Sequence, residues 1–337
     1  MDIHEIRRFA GNMSQFSGIT EITADSGKTR GMRIYHFQAG NGLEFDLVPD
    51  KALDIAKVTY KGVNINWLGK PGYTSPLFAH PVKNEFSRYF CGGMLMTCGL
   101  KNTGPEYENP DGPFQVMHGR VNITPCEQSY ARTYFTDDDY ILEAGGVIRD
   151  ATMWAHNLTL TRTVRTSLSK AEIEISDTLE NQQRIETDYV ILYHFNFGYP
   201  FLSPKIQIDI PLGDKPIKPR TPWAEKYLST WNKFEGPEDQ YEERCYFHFP
   251  KADAHNWTAI HVTNPELGIQ AQLAYDETNL PILTQWKSIQ TGEYVLGIEP
   301  GNSFISGLKN ERINGRVDTI GGFEKKEFHI KLSFSQI

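Results

Sequence analysis

Glu299 ends an apolar, β-favouring run, Tyr294 to Ile298, and Pro300 and Gly301 follow it at once. Pro has no N–H for a ladder and Gly accepts turn geometry, so the strand is expected to stop after Glu299. A carboxylate at the end of a buried strand is costly to desolvate unless it is paired or has a chemical role. His194 lies in the most continuous apolar stretch of the chain, Tyr189 to Tyr199. Asn196 follows two residues later, which puts both side chains on one face of a strand. A polar face on such a strand suggests a lined cavity, the alternative being a core imidazole held by a backbone carbonyl. A buried carboxylate and a cavity-facing imidazole are the residue types that general acid–base chemistry uses.

Other candidates lie further away in sequence. His118 belongs to a His-Gly-Arg run in which Gly119 lets the backbone approach a ligand and Arg120 presents a planar fork for a hydroxyl or carboxylate. Arg88 precedes an aromatic and a Gly-Gly pair, and a stacked arginine is the plainer reading. Trp286, between Gln285 and Lys287, is either core or a stacking platform. His118, His194 and Glu299 could form a His₂-carboxylate metal set, but no local ligand spacing supports it, and no metal is expected. The GxSxG elbow, the GxGxxG fingerprint and the Walker loop are all missing, so neither a serine hydrolase nor a nucleotide cofactor has support.

The elements that must position these residues read as strands. Met32–Gln38 and Leu43–Val48 alternate around a hairpin-type turn, and Ala52–Tyr60 and Val63–Leu68 flank Lys61-Gly62 as a second hairpin. Connections this short imply antiparallel pairing. Residues 69–120 are rich in Gly, Pro and Asn, and a long irregular segment of this kind is more often functional than not. Strands resume at Tyr140–Ile148, Leu158–Thr166, Lys170–Leu179, Tyr189–Tyr199, Thr258–Thr263, Gly268–Tyr275 and Phe328–Phe334. Residues 200–240 are Pro-rich and read as a long excursion. The expected fold class is all-β, two large antiparallel sheets packed face to face with few short helices. The chain is expected to be one domain over 1–337, with residues 1–30 as an N-terminal extension packed on it.

The 337 residues carry a net charge of -8 with scattered Lys and Arg, which excludes nucleic acid and anionic membrane as natural partners. No run approaches the ~18 apolar residues of a membrane span, and the first residues lack a signal-peptide core. Cysteines 91, 98, 126 and 245 lack CxxC spacing, and Cys91 and Cys98 read as buried thiols in a reducing cytosol. A cytoplasmic location is expected.

With these residues in view, the chain resembles the galactose-mutarotase-like superfamily of sugar 1-epimerases, in particular its aldose-1-epimerase-like members. The resemblance covers roughly residues 30–335. It is carried by Cys91 to Met96 followed by Gly104-Pro105 and by Met117 to Arg120, by Tyr193 to Phe197, and by Gly297 to Asn302. It implies a large antiparallel β-sandwich (a supersandwich) with a concave face for a sugar. By residue it implies Glu299 as general base, His194 as general acid and His118 as a sugar-orienting partner, with Arg88 or Arg120 as the binding arginine. For that chemistry Trp286 and Tyr199 would stack on the sugar and Asn196, Lys287 and Asn302 would bond hydroxyls. A monomer or homodimer acting on a small sugar, without cofactor, is expected. The alternatives are a carbohydrate-binding protein without catalysis and a metal-assisted sugar isomerase or epimerase.

Overall fold

Short turns between alternating strands leave antiparallel pairing as the only geometry for most of the chain, and the ladders follow it. The computed structural model describes residues 3–109 and 113–337. Residues 1 and 2, part of the expected N-terminal extension, lie outside them. Among the described residues the strands form three antiparallel sheets. The two large ones fit the expected sandwich. One has eight strands and runs from Gln207–Asp209 at one edge to Gln128–Phe135 at the other. The second has seven strands and carries the strands of Glu299 and His194 side by side, Glu293–Gly301 against Thr187–Gly198. The third, five strands between Gly18 and Asn64, was not anticipated as a separate sheet. Its first strand, Gly18–Thr23, pairs with Arg33–Gln38, so the N-terminal extension completes a sheet edge rather than merely covering one.

The helices are few and short; the longest described is Ile3–Phe9. None is long and apolar enough to cross a membrane among the described residues. One cluster of buried apolar side chains runs from Ile3 to Phe334 between the sheets. All four cysteines are buried and free.

Two departures from the sequence pattern shape the surroundings of the His194 strand. The strand begun at Val63 ends at Asn64, and the chain crosses to the His194 strand, where Trp67 N–H donates to the Asn196 carbonyl. That crossing turns Trp67 out of a hairpin and toward the seven-stranded sheet. Leu95–Leu100, inside the stretch read as irregular, is a fully buried strand paired with Val190–Phe195.

Candidate active site

The Glu299 strand does not stop at Pro300. It continues to Gly301, and both residues pair with the strand Ile282–Gln290. On its other side the ladder to the His194 strand is registered at Phe195 with Ile298 and at Leu192 with Gly301, and it is open between them. Pro300 sits in that gap, where its missing N–H leaves no ladder bond to break. The same register sets His194 directly across from Glu299. Their side chains meet, with His194 Nε2 3.3 Å from Glu299 Oε1, and both are almost wholly buried. Glu299 Oε1 and His194 Nδ1 have no hydrogen-bond partner among the described residues. Orphaned polar atoms at this depth are uncommon and call for an explanation.

Gly297 makes room for the carboxylate. A Cβ there would stand 2.3 Å from Glu299 Oε1 and 3.0 Å from the Trp286 Cβ, so only glycine lets both side chains lie over this point of the sheet. Cys245, Trp286 and Gly297 are paired in register across three strands, and Ser288 and Gln290 follow Trp286 on the same face. Trp286 stands edge-on to His194 at 5.5 Å and to Trp67 at 5.7 Å. Phe90 and Phe86 complete an aromatic wall, with Phe90 5.8 Å from His194. Trp67, Phe86, Phe90, Cys245, Trp286, Ser288 and Gln290, with His194 and Glu299, line a cleft of about 510 Å³.

His118 enters from the loop opposite, in a left-handed conformation at φ 57°. Gly119 after it is also left-handed, and a Cβ there would stand 1.9 Å from the Gly99 carbonyl oxygen. Gly119 therefore lets the loop close on the strand Leu95–Leu100; the backbone it admits is the protein's own and not a ligand's. The Gly104 amide donates to His118 Nδ1 at 3.4 Å, which puts the ring proton on Nε2. The His118 and His194 rings are 5.9 Å apart, nearly perpendicular.

Burial pushes the Glu299 carboxyl well above the usual carboxylate range, the Glu243 carboxylate adds to this, and the Arg220 guanidinium opposes it. Burial lowers His194 to about 3, with His118 acting in the same direction and the Asn196 side chain against it. Burial likewise lowers His118 to about 4, helped by Arg220. Burial thus favours the uncharged form of all three groups, and at neutral pH both histidines are neutral. Burial works against an ionised Glu299 and a protonated His194, the forms that the general base and general acid roles imply.

Of the other expected residues, Trp286 lines the cleft and the rest do not. Arg88 is largely exposed and pairs with Glu85 at 3.3 Å. Arg120 turns away and reaches the Pro81 carbonyl at 3.5 Å. Asn196 is buried beneath His194 and donates to the Gly93 and His194 carbonyls. Lys287, one residue past Trp286, faces the other side of the sheet, where it meets the Lys233 carbonyl and Glu235. Asn302 is consumed by the backbone of the His194 strand and by Asp318. Tyr199 is three-quarters exposed outside the cleft.

The arginine of the cleft is Arg220, which sequence reasoning missed. It follows the short strand Lys218–Pro219 and lies 3.5 Å from Glu243, whose other oxygen accepts the Trp286 indole N–H at 2.8 Å. Trp67, Lys70, Tyr241 and Glu243 were missed as well. Arg220 sits within the 200–240 excursion, and Tyr241 and Glu243 lie just after it. The rule that long irregular segments carry function would have pointed there as it did to residues 69–120. Among the described residues no group of three His, Cys, Asp or Glu side chains is arranged to hold a metal ion.

The sequence matches the family model described as a domain of unknown function (DUF4432) over residues 29–334. No curated protein matches it. Among solved structures it is similar to a candidate aldose 1-epimerase from Klebsiella pneumoniae, at 25% identity and TM-score 0.88, over 94% of this chain and 83% of that one. It is also similar to a galactose mutarotase-like protein from Clostridium acetobutylicum (15% identity, TM-score 0.62, 96% and 100% of the two chains). A galactose 1-epimerase from Lactobacillus acidophilus matches at 12% identity and TM-score 0.57, over 95% of this chain and 99% of that one. The fold is galactose mutarotase-like.

Proposed function

The chain belongs to the DUF4432 family, and we propose that it is a sugar 1-epimerase, interconverting the anomers of an aldose by acid–base ring opening. The observation that carries this reading is the buried His194–Glu299 contact at 3.3 Å, which sets an imidazole and a carboxyl side by side at an aromatic-walled cleft. Anomer exchange needs one acceptor and one donor at the same moment. The C1 hydroxyl gives up its proton, the bond from C1 to the ring oxygen breaks, and the ring oxygen takes a proton. The open-chain aldehyde then turns about C1–C2, and the reverse steps close the ring on the other face. Atoms and charge balance within the pair, and no redox partner enters.

One proton on the pair, whichever group carries it, leaves one acceptor and one donor. Glu299 as base and His194 as acid is the assignment we favour, with the Arg220 guanidinium opposing the burial that favours the protonated carboxyl. His118, with its proton on Nε2, would donate to a sugar hydroxyl, and Trp286 would lie against an apolar sugar face.

NMR magnetisation transfer between anomers tests this directly. Wild type should accelerate exchange of at least one free aldose, and Glu299→Gln should lose about 10²–10⁴-fold of that acceleration. Full activity in the variant overturns the assignment. Line broadening of a sugar without accelerated exchange would instead identify a binding protein.

A further inference from the structure

The cleft extends far beyond its acid–base pair. Glu299 and Glu293 line it from the same strand, six residues apart, which at the rise of an extended chain is roughly 20 Å. A pyranose ring with its hydroxyls spans roughly 7 Å, about two residues of strand. A ring placed with C1 at His194 and Glu299 therefore fills only the end near His118, Gly104 and Ile305. Past Trp286 the lining continues with Ser288, Gln290, Glu293 and Lys70, side chains that give and accept hydrogen bonds. Trp67 forms the flank of this stretch. Its ring lies against Gly92, where a Cβ would come within 2.4 Å of it.

The charges in the lining are balanced. Lys70 lies 3.1 Å from Glu293, and Arg220 lies 3.5 Å from Glu243. A phosphate or uronate would compete with Glu293 or Glu243 for these cations and meet their negative charge, whereas a neutral polyol needs only donors and acceptors.

We infer that the cleft receives the reducing end of a neutral oligosaccharide, with Lys70, Ser288, Gln290 and Glu293 holding a second sugar residue beyond the one at His194 and Glu299. This rests on the sugar 1-epimerase reading. The pair must reach a free C1 hydroxyl, so the second residue is joined through another hydroxyl of the first, and a glycoside blocked at C1 is no substrate.

The test is anomeric exchange on the full chain with glucose, galactose, maltose, cellobiose, lactose and glucose 6-phosphate, read as kcat/KM. One reducing disaccharide should exceed its own reducing monosaccharide by about tenfold, the worth of one or two added hydrogen bonds. Glucose 6-phosphate should be slower than glucose. Lys70→Ala with Glu293→Ala, both partly exposed and remote from the core, should narrow the disaccharide advantage about fivefold. Equal kcat/KM for monosaccharides and all disaccharides, or an advantage untouched by the double variant, overturns the extended site while leaving the epimerase reading intact. If no sugar exchanges, the epimerase reading falls, and calorimetric titration of the same sugars decides the rest. Tighter binding of a disaccharide than of its monosaccharide then supports the two-residue cleft, and equal or absent binding overturns it.

Discussion

Burial shifts both Glu299 and His194 toward their uncharged forms, and this has a sign that stability measurements can read. The folded-state pKa of Glu299 is raised, so above the ordinary carboxylate value near 4.5 the unfolded chain loses a proton that the native state keeps. Native stability therefore falls as pH rises through that window, at about 1.4 kcal/mol per pH unit for one full proton. Glu299→Gln removes this dependence, and its gain in thermal stability over wild type should grow between pH 5 and pH 8. A gain that is the same at both would show that Glu299 holds no extra proton. His194 and His118 act oppositely. Lowered to about 3 and about 4, they stay neutral in the fold while unfolded imidazoles charge below about 6.5, so stability is lost as pH drops from there. Wild-type kcat/KM should accordingly show no acid limb between neutral pH and about pH 4, where His118 charges.

At the scale of elements, the site depends on what two neighbouring strands omit. Pro300 omits a donor, and Gly297 omits a side chain. Gly297→Ala sets a methyl 2.3 Å from the Glu299 oxygen. The sheet should survive, because alanine is small and this glycine's φ is not left-handed. The carboxylate must move, and a shift near 1 Å is expected to cost about 10²-fold in exchange rate; native-like circular dichroism with unchanged activity would refute it. The strands themselves were legible because alternation survives burial on one face, and Glu299 and His194 were legible because each interrupts an apolar run. His118 was legible from its glycine, though for a reason that proved to be backbone packing. Lys287 and Asn302 misled, since adjacency in sequence to Trp286 and Glu299 says nothing of face, and each serves the far side or the backbone. Pro300 misled because a proline ends a strand only where its N–H is needed. Arg220, within the Pro-rich excursion, and Glu243, just past it, were hidden because nothing in such a stretch marks which of its charged residues turns inward.

At the scale of the molecule, one buried cation ties the three sheets together. Arg162, fully buried in the eight-stranded sheet, donates to Asp177 of the same sheet at 2.6 Å and to Asp54 of the five-stranded sheet at 2.9 Å. It also donates to Thr97 beside the His194 strand, and Tyr193, next to His194, donates to Asp177 at 2.7 Å. Arg162→Met leaves two buried carboxylates without their cation and should cost about 3–5 kcal/mol in urea unfolding. Replacing Asp54 and Asp177 with apolar residues as well should recover most of it. A single variant as stable as wild type would show that the network is not a clasp.

The register that sets His194 opposite Glu299 has a consequence for molecules that fold wrongly. Because side chains alternate between faces, a slip of one residue between these two strands turns one member of the pair to the far side. On the proposed reading a mispaired chain is thus silent, never indiscriminate. The molecule certifies its own assembly: whatever reacts in this cleft reacts only with chains whose last strands have found their proper neighbours.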